Sequence, residues 1–215
     1  MSVDFADPGF LEEHILQTLA FYRPHAIDPQ GGFFHHFRDD GTVYDRATRH
    51  LVSSTRFVFN YAMAARYFGE AEHLEWAAHG LAFLEKRHRQ PAGGYAWILG
   101  EDGVRDGTNH CYGLAFVMVA GATALMAGLK DGRATLEQAW DLMETHCWDA
   151  DHGLYCDEAP AAFTASAPTA ARTPTCTAAR RCSGPMRRRA RISTCSAPYS
   201  SPTTSHGDRR PSPVA

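Results

Sequence analysis

Two stretches, GGFFHHFRDDG at residues 31–41 and GGYAWILGEDG at residues 93–103, decide how this chain folds. They lie 62 residues apart and share a double glycine, an aromatic and an Asp-Gly turn. His152-Gly153-Leu154-Tyr155 takes up the pattern a third time, 59 residues further on. Flanking segments keep step: EHLEWA at 72–77 aligns with ATLEQA at 134–139, again 62 apart. Self-similarity at a fixed period marks an architecture made by stacking one supersecondary unit. Here the unit reads as a helix, a glycine-marked turn with short extended pieces, and a second helix.

Asp7-Pro8 is an N-cap and first-turn pair, and Leu11, Ile15, Leu16 and Leu19 make one apolar face over about residues 9–22. Further helices are predicted over about 49–68, 71–88, 110–128 and 133–146. The second and fourth are apolar on most sides, whereas the first, third and fifth are amphipathic. That alternation is what two concentric helical layers require. The predicted class is all-α: a partial (α/α)6 barrel with short β-hairpin turns at the glycine sites. Six hairpins at this period would need about 360 residues, and the chain supplies about two and a half.

Composition divides the chain near residue 159. Residues 1–158 carry twelve Lys/Arg against twenty-three Asp/Glu, a net charge of −11, so nothing biases them toward nucleic acid or an anionic membrane. Residues 159–215 have no Leu, Trp or Lys, eight of the twelve prolines, and nine arginines against Asp208, a net charge of +8. Such a segment lacks the side chains that offset chain entropy and is expected to be disordered. A shifted reading frame explains it better than a genuine basic tail. The run Arg172-Thr173-Pro174-Thr175-Cys176-Thr177 can be coded so that moving back one base restores QNANMH, and the triplet over Thr177 can restore only His or Tyr.

Gly113–Leu129 is uncharged, but its Gly and Ala content reads as a buried helix rather than a membrane span. The N-terminus is acidic and polar, and Cys111, Cys147 and Cys156 are widely spaced with no CxxC, which suggests a cytoplasmic protein. No phosphate-cradling, dinucleotide or nucleophile-elbow motif occurs, and His14, His35, His36, His73, His79, His88 and His146 show no metal-ligand spacing. No cofactor and no metal are therefore expected. Two polar features stand out against the apolar helices. Arg56 sits among Val52, Phe57, Phe59 and Met63, and it needs either an acid across the hairpin or a polar ligand. Asn109-His110-Cys111-Tyr112 opens the fourth helix, where side chains would converge on a barrel mouth. Alone, His110 reads as a polar residue at a helix start rather than as a catalyst.

Taken together, GGFFHHFRDDG (31–41), TRHLVSSTRFVFNYAMAARYFG (48–69) and DGTNHCYGLAFVMVAGATALMAG (106–128) resemble the N-acylglucosamine 2-epimerase superfamily. The resemblance is strongest to its mannose and sulfoquinovose-type aldose–ketose isomerases and covers about residues 8–158. The restored RGQNANMH string is similar to the family's next motif. The resemblance implies an (α/α)6 barrel that moves a proton between C1 and C2 of an opened sugar through an enediol, without metal, using histidine bases. It also implies a monosaccharide substrate, no nucleic-acid or membrane partner, and room for a homodimer of a full-length parent. Arg56 matches the family's sugar-contacting arginine and Tyr112 its tyrosine. The family's three catalytic histidines have no counterpart here: the first falls at Thr177 and the others beyond Ala215. His110 is the candidate base within the chain and Asn109 the candidate substrate contact beside it. The parent is thus expected to be a mannose-to-fructose isomerase, with N-acylglucosamine or cellobiose 2-epimerisation, or a non-catalytic carbohydrate-binding barrel, as alternatives. The chain as written is expected to be inactive and poorly stable. Sequencing the DNA across codons 157–170 should reveal one inserted or missing base; an uninterrupted frame there would rule out the shifted-frame reading.

Overall fold

The structure, a computed structural model, describes residues 4–23, 25–159, 161 and 163. The proposed out-of-frame segment lies outside the described residues, apart from its first few positions. Among the described residues five α-helices are interspersed with short strands: α1 (Pro8–Tyr22), β1 (His36–Phe37), β2 (Val43–Asp45), β3 (Arg49–His50), α2 (Leu51–Phe68), α3 (Ala71–Phe83), β4 (Ile98–Gly100), β5 (Gly103–Asp106), β6 (Asn109–His110), α4 (Cys111–Met126), α5 (Gly132–Leu142), β7 (Trp148–Asp149), β8 (Leu154–Tyr155) and β9 (Glu158–Ala159). Local chemistry explains several ends. Asp7 caps α1 by accepting from Phe10 N–H, with Pro8 at the first helical position, and Gly69 closes α2 in the left-handed conformation.

The repeat is physical. Ile27 bridges Phe33 and Arg89 bridges Tyr95 across the two double-glycine turns, and Trp148 pairs with Tyr155 at the third. Phe34 N–H donates to Ala26 O, Ala96 N–H to His88 O and Cys156 N–H to Cys147 O, the same bond in three successive units. Gly94 has no room for a side chain, since a Cβ there would lie 2.0 Å from Asn109 Oδ1.

The third and fifth helices do not run on as regular α-helix to residues 88 and 146. Each ends in a π-helical turn, Leu84–His88 and Met143–Cys147, closed by Arg89 N–H on Leu84 O and Trp148 N–H on Met143 O. One extra residue per turn rotates the last side chain inward, so His88 and Cys147 are buried. Periodicity cannot anticipate such a turn, because the apolar spacing on either side of it is unchanged.

The core lies between the inner helices α2 and α4 and their partners, through Leu51, Val58, Leu81, Leu84, Tyr95, Leu114 and Val117. A second cluster, Ala26, Phe33, Tyr61, Ala62 and Ala77, joins α2 and α3 to the first turn. Each large side chain buried this way stabilises the fold by about 1.5–3 kcal/mol. The apolar face of α1 stays open: Leu11, Ile15 and Leu16 are exposed, and Leu19 alone of that face reaches the core. Phe59, Met63 and Tyr67 likewise leave one side of α2 uncovered among the described residues.

α4 and α5 approach through backbone. A Cβ on Gly121 would lie 2.8 Å from Gly132 O, and one on Gly132 would lie 2.4 Å from Gly121 O. Backbone cannot retreat as a side chain tip can. Gly121→Ala is therefore expected to destabilise by about 1–3 kcal/mol, read as a lower urea midpoint. Gly100→Ala, whose added methyl would meet nothing nearer than 3.7 Å, should change the midpoint far less.

Candidate site at the inner-helix mouth

Each inner helix is preceded by a two-residue strand paired with the following unit. β3 pairs with β4, Arg49 opposite Leu99 and His50 opposite Ile98, while β6 pairs with β9, Asn109 opposite Ala159 and His110 opposite Glu158. The bonds continue into the helices, Leu51 N–H to Trp97 O at 2.9 Å and Cys111 N–H to Asp157 O at 2.8 Å. Successive strand residues face opposite ways. The first of each strand turns inward and the second toward the mouth.

The inward residues are structural. Arg49, 5% exposed, donates to Asp28 Oδ2 at 2.8 Å and Arg46 O at 2.7 Å, with its guanidinium 4.7 Å from the Phe34 ring. Asn109, 1% exposed, accepts from Tyr95 N–H at 2.9 Å and locks the second glycine turn. The structure thus sets Asn109 apart from the other candidate site residues, behind the mouth rather than in it.

His110, Arg56 and Tyr112 are less buried, His110 and Tyr112 at the start of α4 and Arg56 in the second turn of α2. The Trp97 ring lies between two imidazoles, 4.3 Å from His50 and 4.0 Å from His110 by ring centroids. His110 Nδ1 is 3.4 Å from Glu158 Oε1. Arg56 is exposed, contrary to its apolar sequence neighbourhood; its guanidinium stands 5.1 Å over the Phe116 ring, which also meets Tyr112 at 4.9 Å. Among the described residues Arg56 forms no ion pair, so the acid across the hairpin goes to Arg49 instead. Two mouth residues, His50 and Trp97, were not singled out from sequence. His50 was findable, since it stands 60 residues before His110 at the same step of the repeat.

A hydrogen-bonded row, half-buried at His35 and fully buried at Ser54 and His88, lies beneath His50. His50 N–H donates to His35 Nδ1 at 3.0 Å, Ser54 Oγ lies 3.4 Å from His35 Nε2 and 2.9 Å from His88 Nε2, and His88 Nδ1 lies 2.9 Å from Ala96 O. Burial, reinforced by Arg49 and neighbouring imidazoles, lowers His35 to about 3. Burial likewise lowers His88 to about 4 against the opposing pull of its bond to Ala96. His50 is also lowered, first by desolvation and then by His110. All three are neutral at physiological pH. Among the described residues, no group of three or more His, Cys, Asp or Glu is arranged to hold a metal ion, and no helix is long and apolar enough to cross a membrane.

Helical hairpins joined by short strand turns, with α2 and α4 packed together and α3 and α5 against them, define an α/α-hairpin class of fold. A profile of the N-acylglucosamine 2-epimerase family matches residues 32–175, and the chain belongs to that family. It is 53% identical over 154 residues to a D-mannose isomerase of Marinomonas mediterranea, covering 72% of this chain and 39% of the relative. It is 29% identical over 106 residues to a cellobiose 2-epimerase of Eubacterium cellulosolvens, covering 48% of this chain and 26% of the relative. A crystal structure of D-mannose isomerase superposes with a TM-score of 0.75 at 49% identity, over 78% of this chain and 43% of that one. The cellobiose 2-epimerase of Bacillus thermoamylovorans shares the fold at 20% identity, with a TM-score of 0.68 over 75% of this chain and 44% of that one. The chain therefore spans well under half the length of these relatives.

The lowered histidines set a pH dependence. A folded-state value below the unfolded 6.5 means that the unfolded chain binds protons first. Their contribution is complete above pH 6.5 and is lost as pH falls toward about 4 for His88 and about 3 for His35. The slope is about 1.4 kcal/mol per pH unit for each. Asp45, held at about 2 chiefly by the Thr48 amide, loses its contribution only at lower pH. Urea unfolding at pH 7.5 and 5.0 should show the loss; equal stability at both would exclude neutral buried imidazoles.

Proposed function

We propose that the mouth binds an opened aldose and that the parent protein isomerises D-mannose to D-fructose. The observation that carries this reading is Arg56, an exposed cation on an inner helix with no ion pair among the described residues, set beside Phe116 and Tyr112. It is supported by the 53% identity to a D-mannose isomerase. In the chemistry proposed, a histidine takes the C2 proton of the opened aldose and leaves an enediolate. Return of the proton at C1, with the hydroxyl proton passing from O2 to O1, gives the ketose, and return at C2 from the other face gives the epimer. A guanidinium cannot lose its charge at working pH, so Arg56 offsets the negative oxygen as it develops. Tyr112 contacts sugar hydroxyls. His110, against Trp97 with Glu158 beside it, is our candidate for the imidazole that exchanges a proton within this chain.

The 215-residue chain is expected to bind D-mannose without appreciable turnover, because each missing general acid or base costs roughly 10²–10⁴-fold. Frame-restored protein incubated with D-mannose, N-acetylmannosamine and cellobiose should convert mannose to fructose, followed by NMR. Arg56→Ala should lower that rate roughly 10²–10³-fold. Well-folded protein that converts none of the three sugars would leave a carbohydrate-binding barrel without chemistry. Isomerase activity in the 215-residue chain, abolished by His110→Ala, would instead make His110 the base and the missing histidines dispensable.

A further inference from the structure

The row beneath the mouth has a fixed direction. A carbonyl oxygen can only accept, so His88 carries its proton on Nδ1, facing Ala96 O at 2.9 Å. Its Nε2 is then an acceptor, and the Ser54 hydroxyl donates to it at 2.9 Å. At the other end a backbone N–H can only donate, so His35 Nδ1, 3.0 Å from His50 N, is unprotonated. His35 therefore carries its proton on Nε2, which faces the Ser54 oxygen at 3.4 Å. Every donor meets an acceptor with both rings neutral.

Neither end of this row can exchange a proton, since one is a peptide N–H and the other a peptide carbonyl. It cannot relay protons. What it joins are the backbones of His50 and Ala96, and the next residue pair, Leu51 N–H to Trp97 O at 2.9 Å, is bonded directly. Trp97 is the ring against which both mouth imidazoles rest. His88 and Ser54 are buried, at 0% and 2% exposure, so no water competes for the bond between them.

We propose that His35, Ser54 and His88 are positioning residues that hold His50 and Trp97 in register at the mouth, acting through opposite tautomers of the two imidazoles. Any effect on sugar affinity rests on the reading of the mouth given above, whereas the positioning itself does not. Placing protons on Nδ1 in one ring and Nε2 in the other is a requirement of this row that ordinary core packing of two imidazoles would not impose.

Long-range ¹H–¹⁵N spectra of the full chain at pH 7.5 test this. The expected result is an Nε2–H tautomer for His35 and an Nδ1–H tautomer for His88. Ser54→Ala should shift the His50 amide and Trp97 indole signals, and Ser54→Thr, which keeps the hydroxyl, should return them toward their original positions. Thr123→Ala removes another buried hydroxyl, one bonded to Val119 O and Ala120 O within α4; it should alter melting and leave those signals in place. The same tautomer in both rings, or His50 and Trp97 signals unmoved by Ser54→Ala, would overturn the proposal. If Ser54→Ala shifts the signals but D-mannose perturbs neither protein, the positioning role stands and the sugar-binding reading fails.

Discussion

The pairing of each two-residue strand with the next unit's strand is the contact on which the mouth depends. Helices packed by apolar side chains can slide by fractions of an ångström at little cost, because dispersion is non-directional. Backbone hydrogen bonds cannot. Leu51 N–H on Trp97 O and Cys111 N–H on Asp157 O pin the first turn of α2 and of α4 to the following unit. The inner helices therefore begin at heights set by hydrogen bonding, and the residues just before them arrive together.

Strand alternation then divides labour between adjacent residues. Arg49 and Asn109 turn inward and satisfy buried polar groups, while His50 and His110 turn outward and meet at Trp97. Leaving a charge like Arg49 unpaired in the interior would cost several kcal/mol, and Asp28 together with the Arg46 carbonyl offsets it. Arg56 has no such compensation and needs none, because it faces solvent over Phe116. One arginine holds the scaffold and the other stays exposed over an aromatic ring.

The successive units solve one geometric problem with different chemistry. Each encloses a backbone bond from the residue after its glycine turn to the end of the preceding segment, at Ala26, His88 and Cys147. In the second unit the buried residue at that point is an imidazole, which brings directional hydrogen bonds and a pH dependence. In the third it is Cys147, grouped with Cys156 and Cys111 in the apolar core, where the neighbouring Cys111 thiol and then burial push the thiol up.

Helix positions, the repeat and the family were legible in the sequence alone, because each depends on periodic apolar spacing or on residues that keep their order. The predicted segments 71–88 and 133–146 end where the chain turns, but not as α-helix, since a π-helical turn leaves no mark on the apolar period. The same limit governs the site. Arg56, His110 and Tyr112 stood out because polar residues in apolar helices are conspicuous. Asn109 stood out for the same reason, yet one step along a two-residue strand reverses its direction and buries it. Which polar residue faces the mouth, which arginine finds an acid, and that His35, Ser54 and His88 form one row were decided by tertiary structure. Those facts depend on strand pairing between residues about 50 apart in sequence, and a local pattern carries no information about which face such a pairing will cover.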